Sequence, residues 1–185
     1  MILKEINLIQ SQLQQHKATH GKFTIEVAKQ ELLLTETHVK LADLLRSSRL
    51  GTNQKESEPH YLQALQKVAR LENLTFLGKR PSLLYDLRTD YVAAHLGLRS
   101  LYRDQHSIQK ALEQLTKAHD PTQELITMED SPGQQDRLGV ILATHGEILT
   151  LVQATPADGR SALDKQQRAV AIFRQLEQTT TGPPC

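Results

Sequence analysis

The sequence predicts an all-α protein: an α-solenoid of about three antiparallel helical hairpins preceded by one helix. Three observations carry this expectation. Apolar residues recur at spacings of three and four along nearly the whole chain, which is the period of a helix face, and alternating runs of β-branched residues are missing. Breaks rich in glycine and proline, such as "GKRPS" and "QATPADGR", cut the periodic stretches into pieces of helical length. The same residue types then return in the same order in successive pieces, as expected of stacked supersecondary units.

A leading helix over residues 2–20 carries Ile2, Ile6, Ile9 and Leu13 on one stripe, with Leu3 and Leu8 off it and Gly21 placed to end it. Thr24 is placed to cap the next helix, whose apolar face is Val27, Leu33, Leu34, Leu41, Leu44 and Leu45. The stretch "SSRLGTNQKESEP" reads as a flexible loop, and Pro59 as the start of a helix with the face Leu62, Leu65, Val68, Ala69 and Leu71. A second pair begins near Ser82 with Leu83, Leu84, Leu87, Val92, His95, Leu98 and Tyr102. It turns at "RDQHS" into Ile108, Ala111, Leu112, Leu115 and Ala118. Asp120 and Pro121 suggest a separate short helix over 122–128, stopped by "EDSPGQQ", and a third pair runs from about Asp136 to Val152 and from about Ser161 to Leu176. The expected organisation is a single domain, 1–178, with hairpins at about 24–76, 82–119 and 136–178 and a disordered tail, 179–185.

Composition narrows the function classes. The 185 residues suffice for one domain or a short stack of repeats, and 22 basic against 21 acidic residues leave a net charge of +1. No global field attracts nucleic acid or anionic membrane, and a chain with no Trp, four Tyr and three Phe offers few stacking platforms, so neither nucleic acid nor membrane is an expected partner. Cys185 is the sole cysteine, which excludes an internal disulfide and a Cys-based zinc site and makes the cytoplasm the expected compartment. Lys4, Glu5 and Asn7 interrupt the first apolar stretch, so no signal peptide is expected.

The three hairpins can be superposed on their histidines. Aligning His38, His95 and His145 brings together Leu41, Leu98 and Ile148, then Leu44, Leu101 and Leu151, then Leu45, Tyr102 and Val152. In the second helices, Ala64, Ala111 and Ala169 align, followed four residues later by Val68, Leu115 and Phe173, a small residue beside a large one at a helix contact. The middle hairpin, with His95, Leu98, Arg99, Tyr102, Ala111, Leu115 and Pro121, resembles the tetratricopeptide repeat pattern of a large residue, Leu, a small residue and Tyr, then Ala, a large residue and Pro. The alanine follows the histidine by 16 residues there and by 26 and 24 in the outer hairpins, which reads as loop insertions of about ten and eight residues. Arg99 and Leu149 stand where the family prefers a small residue, whereas Ala42 conforms.

The resemblance implies a concave face formed by the first helices and used for recognition. Its partner-facing positions are Glu36, Lys40, Asp43 and Arg46 in the first repeat, Ser100 and Arg103 in the second, and Glu147, Thr150 and Gln153 in the third. Val39, Asp43, Leu96, Ser100, Gly146 and Thr150 occupy the places of the family's carboxylate clamp, so binding of chaperone tails is not expected. No nucleophile elbow, phosphate loop, dinucleotide fingerprint or HExxH motif occurs, and no histidine has Glu three residues before it, so no enzyme, metal site or cofactor is expected. The aligned histidines would sit in successive layers, each packed on its own second helix. The expected function is a non-catalytic scaffold that binds a protein or peptide partner, free or as part of a larger protein. A regulatory sensor domain of a signalling protein is the alternative, and self-association through the solenoid ends a further possibility.

Overall fold

The computed structural model describes residues 2–20, 24–48, 51–74, 79–152 and 156–180. Among them the chain is entirely helical: α1 (Ile2–His20), α2 (Ile25–Ser47), α3 (Gly51–Glu72), α4 (Pro81–Asp104), α5 (Ile108–Met128), α6 (Pro132–Val152) and α7 (Pro156–Thr180). The pairs α2/α3, α4/α5 and α6/α7 form antiparallel hairpins, and successive hairpins meet through α3 on α4, α5 on α6 and α2 on α4. α1 packs on α2 as α3 packs on α4. It thus holds the place that a second helix holds in each hairpin interface, so the solenoid consists of three hairpins and one leading half.

Local chemistry explains most of the boundaries. Thr24 caps α2, its hydroxyl accepting from the Val27 N–H at 3.3 Å. α4 ends in paired bonds, Ser107 N–H to Tyr102 O at 2.7 Å and His106 N–H to Arg103 O at 2.9 Å, with His106 at φ 57. This is the left-handed C-terminal motif that satisfies the last carbonyls. Part of "EDSPGQQ" is a start signal: Ser131 accepts from the Gln134 N–H at 3.4 Å, and Pro132 is the first residue of α6, where a missing N–H costs nothing.

The helices are longer than the sequence suggests, and the expected loop insertions are absent. α3 begins at Gly51, so 51–58 are helical and Pro59 lies inside the helix. That proline is exposed, as is Lys55, whose carbonyl loses its partner and can turn to water. The segment is held from outside by the Tyr102 hydroxyl, which donates to Glu58 at 2.7 Å. Likewise 122–128 is no separate helix. α5 continues through Pro121, with Thr122 fully buried and its hydroxyl donating to the Ala118 carbonyl at 2.8 Å. α6 and α7 start earlier than expected, at Pro132 and Pro156, and α7 extends to Thr180, so residues 179–180 of the expected tail are helical. Gly21, Arg49, Leu50, Gln153 and residues 181–185 lie outside the described residues.

These lengths also correct the superposition of the second helices. Ala64 and Ala169 are both the fourteenth residue of their helices, whereas Ala111 is the fourth of α5. The equivalent place in α5 belongs to Pro121, flanked by the buried Ala118 and Thr122. All three alanines are nonetheless buried, as are Val68 and Leu115. The α3 face is rotated from the expected one: Tyr61, Ala64, Val68 and Leu71 are buried, while Leu62 is 48% exposed and Ala69 lies outside. The rotation is set by Gly97, because a Cβ there would come within 2.2 Å of the Tyr61 ring, so only glycine lets α4 accept it. On α2, Leu34 and Leu41 are buried but Leu33 and Leu44 are not. The largest apolar cluster joins α2 to α6 through Ala42, Tyr61, Val92, Leu98, Leu101, Leu115, Leu125 and Ile141, and a second one, Ile6, Ile9, Leu13, Val27, Leu34 and Leu41, fixes α1.

Candidate functional site

The aligned histidines occupy equivalent mid-helix positions, and two of them bond to their own second helix. His38 is 3% exposed and stacks on His60 of α3, with Nδ1 atoms 3.2 Å apart, so one ring nitrogen donates and the other accepts. Burial, and then His60 and Lys67, hold His38 down to about 4, so it is neutral at physiological pH. His95 Nδ1 lies 2.7 Å from Gln114 Oε1 of α5, and the Tyr91 ring meets its imidazole edge-on. Burial likewise keeps His95 below the ordinary histidine value. His145 is held down to about 4 by burial and by Lys165 and His119. The rings sit in separate layers and do not converge on one site.

The polar side chains of the first helices do converge. α2 and α4 run side by side in parallel register: Glu36 influences Asp86 and Asp90, Lys40 influences Asp90, and Arg46 influences Arg99. A cavity of about 540 Å³ opens between them, lined by Lys29, Leu32, Leu33 and Glu36 of α2 and by Leu83, Tyr85, Asp86, Thr89 and Asp90 of α4. Asp90 is 8% exposed; burial first, then Glu36 and Asp86, push its carboxyl up to about 7 against the pull of Lys40. The Thr89 hydroxyl is buried with no hydrogen-bond partner.

The C-terminal half of α4 carries a buried guanidinium. Arg99 is 9% exposed, its Nε has no partner, and Arg46, Arg103, Asp104 and Glu147 surround it electrostatically. Burial, then the two neighbouring guanidinium groups, lower its proton affinity. Asp90 and Arg99 lie roughly 14 Å apart along α4, at 1.5 Å per residue, and the nine-residue step between them makes about two and a half turns, so the carboxylate and the guanidinium leave the helix on opposite sides.

Against this geometry the sequence-predicted positions divide. Glu36 lines the cavity and pairs with exposed Lys40 at 2.7 Å. Asp43 and Arg46 are partly committed to structure: Asp43 accepts from the fully buried Tyr61 hydroxyl at 2.5 Å, and Arg46 Nε donates to the same oxygen at 3.4 Å. Ser100 is half-buried, its hydroxyl turned to the Leu96 carbonyl. Arg103 is exposed beside Asp104, Glu147 is exposed across from Arg99, and the exposed Thr150 donates to the Gly146 carbonyl. Gln153 is outside the described residues. Asp86, Thr89, Asp90 and Arg99 were not anticipated. Counting back from Ser100 by four, three, three and four residues gives Leu96, Ala93, Asp90 and Asp86, which puts the two aspartates on the expected face, whereas the burial of Asp90 and the place of Arg99 depend on how the helices pack.

A second cavity, of about 480 Å³, lies where α1, α2 and the end of α3 meet. Its carboxylate, Glu31, is already held by Lys17 at 2.5 Å and by Lys67 at 3.3 Å. Burial alone would raise that carboxyl, but the two ammonium groups outweigh it and set it below the ordinary glutamate value. The cluster clips α1, α2 and α3 together.

No protein-family model matches the chain, and no curated protein matches it. Among solved structures, the chain is similar to the crystal structure of a de novo designed helical repeat protein. The TM-score is 0.51 with 14% sequence identity, over 96% of this chain and 81% of that one. The chain therefore has a helical-repeat fold. Among the described residues no helix is long and apolar enough to cross a membrane.

Proposed function

We propose that this protein is a non-catalytic interaction scaffold that receives a peptide or a helix along the row of first helices, α2, α4 and α6. The observation that carries the reading is the open cavity between α2 and α4, lined by polar and apolar side chains of two successive first helices. In a solenoid of helical hairpins the first helices form the inner surface, where side chains from several repeats can touch one extended partner. The tetratricopeptide resemblance supports the same face, with helices of 21 to 25 residues in place of the family's shorter ones. The alternative, a regulatory sensor domain for a small molecule, is favoured by the cavity volume, which falls within the roughly 300–1,000 Å³ of small-molecule sites. Charged and polar side chains on both helices favour the peptide.

The test is affinity capture from lysate with the wild-type protein and with an Arg103→Glu/Glu147→Arg variant. Both residues are exposed, and the exchange keeps the net charge. With circular dichroism showing equal helicity, a protein retained by the wild type should be lost from the variant. Identical captured profiles would remove the binding face from this row.

A further inference from the structure

Asp90 is the polar group that the fold explains least. It is more than nine-tenths buried and lines the cavity between α2 and α4. Among the described residues its carboxylate takes part in no hydrogen bond or ion pair. Burying a carboxylate without a partner is strongly unfavourable, and packing does not require one at this place. Two further carboxylates line the same cavity, Asp86 on α4 and Glu36 across from it on α2, and among the described residues the Thr89 hydroxyl buried there is also unpartnered.

The resident cations answer this charge only in part. Lys40 pairs with Glu36 at 2.7 Å, and its side chain remains 62% exposed. Lys29 lines the cavity but makes no ion pair with Asp90. The rest of the lining is Leu32, Leu33 and Leu83 together with Ser82 and Tyr85. Carboxylates beside these leucines suit an alkyl stem that ends in a positive head.

We propose that this cavity is a cation-accepting subsite that takes the side-chain ammonium or guanidinium of a lysine or arginine on a peptide partner, with Asp90 as the buried counter-ion and Glu36 and Asp86 at the rim. The proposal rests on the reading of the first-helix row as a binding face. A peptide side chain is favoured over a free amine because Leu32, Leu33 and Leu83 line the cavity beside the carboxylates and cover an alkyl stem that a small amine lacks. A divalent metal is disfavoured, since no three carboxylate, histidine or cysteine side chains among the described residues are grouped to hold one.

The experiment uses the full chain and capped alanine heptapeptides with lysine, arginine or norleucine at position four. Binding is followed by the amide resonances of residues 85–90 and 32–36. The lysine and arginine peptides should bind at least fivefold more tightly than the norleucine peptide. Asp90→Asn should abolish that preference, and Glu36→Gln should weaken it two- to threefold. The wild-type protein gives an independent check: saturation with the lysine peptide should lower the Asp90 carboxyl midpoint, read by carbon NMR, by at least one pH unit, because a bound cation favours the ionised form. Equal binding of lysine and norleucine peptides, or an unmoved Asp90 midpoint, would overturn the subsite. Shifts of the same size with spermidine or magnesium chloride alone would overturn the assignment to a peptide side chain. If Arg103→Glu/Glu147→Arg abolishes a capture that Asp90→Asn leaves intact, the face stands and the subsite falls.

Discussion

At the scale of single residues, the fold turns on a few side chains whose environment forces their chemistry. Tyr61 is fully buried and seated on Gly97, so Gly97→Ala drives a methyl group into its ring. The substitution should destabilise the protein by roughly 1–3 kcal/mol, the usual effect of overpacking. Urea denaturation reads this directly, and an unchanged midpoint would contradict the close approach of α3 and α4. The pH dependence has two opposed contributions. The folded midpoints of His38 and His145, about 4, lie below the ordinary 6.5. Their contribution is therefore complete above 6.5 and lost as the pH falls from there towards 4. Asp90 is raised from 3.8 to about 7, so its contribution is complete below 3.8 and lost as the pH rises through 7. Asp90→Asn should consequently be more stable than the wild type at pH 8, by something on the order of 2 kcal/mol, and should lose stability steadily from pH 6.5 to 4. Equal stability of the two proteins at pH 8 would contradict a buried, unpartnered carboxylate. The histidines were legible in the sequence because equivalent positions repeat. Asp90 was not, because its burial depends on how α2 lies along α4, which no single helix pattern encodes.

At the scale of the helices, apolar periodicity located all seven but misjudged where several begin. Pro59 and Pro121 looked like boundaries because proline lacks the N–H a helix interior uses, and both lie inside helices instead. What overrides the local preference is tertiary: Tyr102 reaches Glu58 across the hairpins, and Thr122 and Leu125 are buried beyond Pro121. The prediction at this scale separates the two readings of α3. If the helix runs from Gly51, Pro59→Ala restores an interior hydrogen bond and should stabilise the protein by about 1–3 kcal/mol. If the helix started at Pro59, the same change would be neutral or slightly destabilising, and a thermal melt of the variant distinguishes the outcomes. The misjudged starts also created the apparent loop insertions and the misplaced alignment of Ala111, since a fixed spacing borrowed from a shorter repeat cannot register helices of this length.

At the scale of the whole molecule, the succession of α1 on α2, α3 on α4 and α5 on α6 makes the protein a one-dimensional stack, each layer stabilised by its neighbours. That much follows from the repeated apolar faces, and the stacking order places one end of each hairpin's first helix beside the next. The charge neighbourhoods of the first helices are an emergent property of the stack: Glu36 of α2 comes beside Asp90 of α4, and Glu147 of α6 beside Arg99, only when the hairpins are in register. On the proposed function the face of the first helices, and not the outer surface of the second helices, meets the partner. This is tested most directly by placing a photoreactive benzoylphenylalanine at Leu33, 40% exposed on the cavity wall, and separately at Leu62, 48% exposed on α3, in the cells that express the protein. Irradiation should yield a covalent adduct with another protein from position 33 and none from position 62. Adducts from 62 alone, or equally from both, would contradict the assignment of the first helices as the binding face.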